Sequence, residues 1–259
     1  MKRIFKILKV LGLLLGLLVA TLAVLLFLTF SGGMPIQDGQ RLDGVEVVKD
    51  GIVSAFIVDI DDQSVALIDA GNDRQAKPIV LALARRNLGP GAVKTILLTH
   101  GDRDHTAGVP AFPNAEVMAL EPDIALTEGR EARGIFKLFG SPHPNGIKVG
   151  RALHDGETLT LGHLEVRVFA VPGHTKGSAA FLARGVLFMG DSAEATKDAK
   201  LAAGKCLFTE SPASNRASLR QLAQRLAPSA AEVKAIACAH SGLLTSGLGP
   251  LLAFAASQK

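Results

Sequence analysis

The sequence predicts an α/β domain, two sheets packed face to face with helices outside, carried behind a single membrane-spanning helix. Three observations lead there. An uncharged apolar run fills residues 10–30, strand-like and helix-like stretches alternate from Val45 onward, and histidines and aspartates cluster just past several hydrophobic runs. Segment 1–33 therefore reads as a membrane anchor or signal segment and 34–259 as the folded domain. The chain has 259 residues and is 48% hydrophobic, enough to fill a core. Its formal charge of +4 comes from Lys2, Arg3, Lys6 and Lys9, which leaves the remainder balanced. A basic nucleic-acid surface is not expected, and the absence of Trp and Tyr disfavours stacked aromatic substrates.

Val10–Phe30 is an uncharged, leucine-rich run. Its length, roughly 31 Å as a helix, matches a bilayer core of about 30 Å. Secretory signals carry shorter apolar regions of about 7–15 residues, so an uncleaved single-pass anchor is expected. The alternative is secretion after cleavage near Ser31-Gly32-Gly33. Basic residues flank only the N-terminal side, which puts the N-terminus in the cytoplasm and the domain on the periplasmic or outer face of the cytoplasmic membrane. Ser31–Arg41, with its glycines and proline, reads as a linker.

Val45–Val48, Ile52–Ile60 and Ser64–Ile68 are rich in β-branched residues and separated by Asp-Gly and Asp-Asp-Gln turns, which predicts an antiparallel meander. Ala76–Asn87 has helical spacing and stops before Gly89-Pro90. Thr95–Leu98 reads as a buried strand, Ala115–Leu120 as another and Glu121–Thr127 as a short helix. Strands follow at Leu164–Val171, Ala179–Ala183, Val186–Met189 and Val233–Cys238, with helices over Ser214–Leu226 and from Leu248. The irregular stretch Gly129–Gly146 is either a wall of a site or an amphipathic helix on the core. Cys206 and Cys238 are too few for a thiolate cluster, and a bridge between them stays open.

The chemistry concentrates in Thr99-His100-Gly-Asp102-Arg-Asp104-His105-Thr-Ala-Gly108, directly after Ile96-Leu97-Leu98. Imidazole and carboxylate aimed from the end of a rigid strand suit Zn, Fe or Mn. A polar turn capping the next helix is the plain alternative. It weakens against three further donors placed past hydrophobic runs: His174 in Pro-Gly-His-Thr, Asp191 in Met-Gly-Asp-Ser and His240 in Cys-Ala-His-Ser. His143, His154 and His163 have no neighbouring donor and read as surface residues.

From Val45 to His240 the sequence resembles the metallo-β-lactamase fold superfamily, which includes glyoxalase II, lactonases, phosphodiesterases and nucleases. The family loop His-x-His-x-Asp-His is here His100-x-Asp102-x-Asp104-His105, with aspartate in place of one histidine. The resemblance implies a four-layer αββα sandwich of two mixed sheets. It implies one metal ion at His100, Asp102 and His174, another at Asp104, His105 and His240, with Asp191 between them and Asp69 behind them. It further implies two divalent ions, normally Zn, and a bridging hydroxide that attacks an ester, thioester, lactone or phosphodiester of a small molecule, with Asp104 orienting the nucleophile. Asp102 lowers the cluster charge and, as a harder donor, makes Mn or Fe more competitive. Asp191 occupies the place of the cysteine ligand of some β-lactamases, which disfavours that type. Two alternatives are a mononuclear iron dioxygenase acting on persulfides and a degenerate, membrane-tethered module. Neither the substrate nor the oligomeric state is written in these residues.

Overall fold

The computed structural model describes residues 2–134 and 143–257. The chain divides into two compact units, Met1–Gly33 and Met34–Lys259. The first is one helix, α1 (Lys2–Ser31), in which Phe5–Leu25 has a mean hydropathy of 2.5 and no buried residues. The basic residues fall inside its first turns rather than before it. Its length and composition fit either a membrane span or a signal sequence.

The second unit begins with β1 (Arg41–Leu42), β2 (Val45–Asp50), β3 (Val53–Asp59) and β4 (Val65–Ile68), an antiparallel meander as its turns predict. Helix α2 (Lys77–Ala84) then crosses to β5 (Val93–Leu97), which pairs parallel with β4. β6 (Glu116–Leu120) and β7 (Arg151–Leu153) extend the parallel part, giving a seven-stranded mixed sheet in sequence order. Between β5 and β6 lies one helical turn, α3 (Arg103–Thr106), and after β6 a second, α4 (Ile124–Thr127).

The second sheet has six strands, starting from β8 (Thr158–Leu161), β9 (Leu164–Ala170), β10 (Ala179–Ala183) and β11 (Val186–Phe188). A separate ribbon, β12 (Ala193–Ala195) with β13 (Leu201–Ala203), precedes helix α5 (Pro212–Leu226). β14 (Ala235–Ala237) returns parallel to β11, β15 (Leu243–Leu244) closes the edge, and α6 (Gly249–Ser257) follows. Helix α5 starts where Ser211 accepts a hydrogen bond from the Ser214 N–H at 3.3 Å, with Pro212 in the first turn.

The packing follows from strand alternation. On β3, Phe56 and Val58 face β10 and β11 across the sandwich while Ala55 and Ile57 face the other way, toward Ile79 and Leu83 of α2. On β10, Phe181 points inward while Ala180 and Leu182 pack toward Leu219, Leu222 and Leu226 of α5. Three apolar layers therefore separate helix, sheet, sheet and helix, the αββα arrangement, and both sheets are apolar on both faces. Phe56 and Phe188 meet edge to face at 5.1 Å across the two sheets.

One expectation changes and one open question closes. Ser31–Arg41 is not a free linker throughout, because the Met34 N–H donates to Ala195 at 2.8 Å and the Met34 carbonyl accepts from Gly242 at 3.1 Å. A backbone that has lost water needs such partners, and buried Ala195 at the end of β12 supplies one. Cys206 is exposed and Cys238 buried, and both are free thiols, with burial pushing the Cys238 thiol up to about 12.

Phe188→Ala should lower the unfolding free energy of the full-length chain in detergent by about 3–5 kcal/mol, since it opens a cavity between the sheets. Leu81→Ala, on the exposed face of α2, should change it by no more than about 0.5 kcal/mol. Urea unfolding followed by circular dichroism separates the two.

Candidate metal centre

The donor residues leave the carboxyl ends of β5, β9, β11 and β14, so the two sheets deliver them to one edge of the sandwich. Asp69, just past β4, ties the first of these loops down. It is fully buried, and one carboxylate oxygen accepts the Thr99 N–H at 2.8 Å. The other accepts the Thr99 hydroxyl at 2.7 Å and lies 2.8 Å from His105 Nδ1. Asp69 has φ 58°, a left-handed backbone that a non-glycine residue holds only when its surroundings enforce it. Its three contacts provide that enforcement.

Each of the four histidines is fixed through Nδ1. His105 uses Asp69, His100 faces the Thr99 hydroxyl at 3.0 Å, His174 the Thr209 hydroxyl at 3.4 Å and His240 the Ile52 carbonyl at 2.8 Å. Such partners orient an imidazole and commit Nε2 to the opposite side, as supporting groups behind metal ligands do. The rings converge, with His100 4.0 Å from His105 and 4.7 Å from His174, and His105 5.6 Å from His240, centroid to centroid.

Six of the expected ligands form two groups, His100 with His174 and Asp191, and Asp104 with His105 and His240, the donor atoms in each lying within 4.8 Å of one another. Nε2 of His100, Nε2 of His105 and Oδ1 of Asp191 are buried without a hydrogen-bond partner among the described residues. Buried polar atoms left without a hydrogen bond cost about 1–3 kcal/mol each, so three at one point fit a cation taken up in place of histidine protons. Charge points the same way. Burial opposes the Asp191 carboxylate, but His240 and His105 facing it outweigh that and hold it well below the usual carboxylate range. Burial disfavours a charged His240, yet Asp191 and Asp104 push it up to about 10, and His105 between Asp191 and Asp69 is raised well above an ordinary imidazole. A divalent ion bound here would displace those protons and take over their role.

A family profile described as the metallo-beta-lactamase superfamily matches residues 48–228. The chain belongs to the metallo-β-lactamase superfamily. A hydroxyacylglutathione hydrolase of Xanthomonas axonopodis pv. citri is 36% identical over 153 residues, covering 59% of this chain and 50% of the relative. Another from Cupriavidus metallidurans is 34% identical over 175 residues, covering 63% and 55%. The chain thus spans about half the length of the curated relatives it matches. Among solved structures, a B3 metallo-β-lactamase with an active-site glutamic acid superposes with a TM-score of 0.63 at 21% identity, over 90% of this chain and 91% of that one. A metallo-β-lactamase family protein from Thermus thermophilus gives 0.58 at 24%, over 83% and 79%. Identities this low carry the fold alone.

Asp102, where the superfamily loop has histidine, lies beside the first group, 3.4 Å from His100 Nε2 and 3.3 Å from His174 Nε2. Both its oxygens accept from Arg133, Oδ1 from Nε at 2.6 Å and Oδ2 from Nη2. Burial works against the Asp102 carboxylate, but Arg133 and the two histidines hold it well below its usual range. Arg133 belongs to the irregular stretch after Gly129, so the sequence marked the loop without marking the residue. Residues 135–142 of that stretch, including Ile135-Phe-Lys-Leu-Phe139, lie outside the described residues, while His143, His154 and His163 are exposed as expected.

Two other supports went unread in the sequence. Buried Asp123 accepts the Gly101 N–H at 2.8 Å, the Thr175 hydroxyl at 2.9 Å and the Gly177 N–H at 2.8 Å, which locks the His100 loop to the His174 loop. Buried Asn215 of α5 donates to the Ser192 carbonyl at 3.0 Å beside Asp191. Gly173, with φ 141°, lets the His174 loop pass Asn215 so closely that a Cβ would sit 2.2 Å from its backbone nitrogen. Only the distant pairing partners identify these residues, and sequence spacing does not contain them.

Asp69→Asn should weaken divalent-ion binding by about 10–100-fold, because the amide can no longer accept from both Thr99 and His105 as a charged group. Competition with a chromogenic chelator, using the full-length chain in detergent, measures this. Unchanged affinity would mean that His105 does not need Asp69 to present Nε2.

Proposed function

We propose that this chain is a dinuclear metal-dependent hydrolase that cleaves a small-molecule thioester. The observation that carries the reading is the set of four imidazoles anchored through Nδ1, with Nε2 atoms directed at two adjacent donor groups, Asp191 of the first lying 3.3 Å from His105 and 3.2 Å from His240 of the second. His100, His174 and Asp191 would hold one divalent ion, with Asp102 at its margin, and Asp104, His105 and His240 the other. When bound, such ions lower the pKa of water toward neutrality and polarise a scissile carbonyl. The thioester preference rests on the likeness to hydroxyacylglutathione hydrolases. It extends to the bond cleaved, since half of each relative has no counterpart in the matched region.

The protein's own groups divide the work. Asp104 is more exposed than Asp191, its side chain 31% accessible against 14%, and it pairs with His240 at 3.2 Å. It is therefore placed to meet an entering water and hold its proton at Oδ2. Burial opposes the Asp104 carboxylate, yet His240 and His105 keep it below its usual range, so it is ionised and able to accept at neutral pH. Hydrolysis then breaks the C–S bond, the acyl group taking hydroxyl and the leaving thiolate a proton.

His240→Ala should remove about one metal equivalent and lower kcat/KM by about 10²–10⁴-fold, and Asp104→Asn should lower kcat by a similar factor with the fold intact. The assay is a panel of a hydroxyacyl thioester, a lactone, a phosphodiester and a β-lactam, run with the full-length chain loaded with Zn, Mn or Fe. Hydrolysis of the thioester that survives exhaustive chelation would reject the reading. Oxygen uptake on a persulfide with bound iron and no hydrolysis would replace it.

The same reading includes location. Lys2, Arg3, Lys6 and Lys9 sit at the N-terminal end of α1, ahead of the uncharged run 10–30, which supports an uncleaved anchor with the catalytic unit on the periplasmic or outer side. A C-terminal alkaline phosphatase fusion should be active in cells and a C-terminal green fluorescent protein fusion dark. The reverse pattern would put the domain in the cytoplasm.

A further inference from the structure

Arg133 spends every donor it has on the edge of the first donor group. A guanidinium carries five N–H bonds in a fixed fork. Here Nε donates to Asp102 Oδ1 at 2.6 Å, and Nη1 donates to the His174 carbonyl at 3.2 Å and the Phe208 carbonyl at 2.7 Å. Nη2 donates to Asp102 Oδ2 and faces His174 Nε2 at 2.8 Å. A guanidinium does not deprotonate, so the His174 contact fixes the tautomer: Nε2 is the acceptor and Nδ1 carries the proton toward Thr209. The lone pair that would coordinate a first-site metal ion, and both oxygens of Asp102, are therefore held by a cation that belongs to the chain. The side chain is only 11% accessible, so the fork is clamped rather than waving in solvent.

The second group has a different environment. Asp104, His105 and His240 contact one another, and among the described residues no arginine or lysine side chain donates to any of the three. Arg133 can yield only by breaking hydrogen bonds and moving away. Bidentate guanidinium–carboxylate pairs are among the stronger polar contacts, which makes that displacement costly.

We propose that Arg133 acts as a built-in competitor for the first metal site. In consequence the Asp104–His105–His240 site fills first, and the His100–His174–Asp191 site takes a second ion more weakly. This deepens the dinuclear hydrolase reading and rests on it. It also explains how a chain with an extra carboxylate at position 102 avoids an over-charged site, since the arginine balances Asp102 without a metal ion.

The test is binding of Zn²⁺ alone to the full-length chain in detergent, by titration against a chelator, with Co²⁺ spectra as a second view of each site. The wild-type chain should take one equivalent tightly and the second at least about tenfold more weakly. Arg133→Met and Arg133→Gln should tighten the second step by about tenfold or more and leave the first unchanged. Two equivalents of indistinguishable affinity in the wild-type chain overturn the proposal whatever the variants do. A second step that weakens in the variants also overturns it, because Arg133 would then position the first-site ligands. Failure of all three proteins to hold any metal ion would sink the metallo-hydrolase reading itself.

Discussion

A carboxylate without access to water, Asp69, holds this molecule's chemistry in place. Burying an ionised group is costly unless its oxygens are satisfied, and Asp69 is satisfied only if Thr99 and His105 stand where they do. The end of one strand, the first residues of the next loop and the orientation of an imidazole are therefore one decision. The same logic recurs at Asp123, which binds the His100 loop to the His174 loop, and at the Ile52 carbonyl, which turns His240 from the opposite sheet.

The result is a site assembled from five chain segments on a rigid support. The sandwich is apolar on both faces of both sheets, so the strand ends have little freedom, and the donors they carry inherit that stiffness. What the support cannot relieve is the concentration of charge. Asp104 and Asp191 draw protons onto His105 and His240 on one side, while Asp102 draws a guanidinium on the other. Two neighbouring groups built from similar donors thus differ in the charged partners that face them.

Much of this was legible from residue order. The apolar run Val10–Phe30, which falls within α1, the β2–β4 meander and the positions of α2 and α5 follow from hydropathy period and turn residues. Edges were less legible. β1, β7, β8, the β12–β13 ribbon and β15 are short, and a few residues do not carry a period strong enough to read. The segment after residue 33 read as a linker because its glycines and proline say nothing about the strand edge that accepts it at Ala195.

By itself the sequence determined which residues could bind a metal ion, because imidazole and carboxylate placed after apolar runs are a local chemical pattern. It also determined that those runs become strands. The tertiary structure alone decided that Nε2 rather than Nδ1 looks inward and that Asp102 is met by Arg133. The second of these facts depends on partners 31 and 41 positions from Arg133 along the chain, Asp102 and His174. No local rule connects a loop arginine to an aspartate so far upstream. Only the packing of the two sheets brings their loops to the same edge.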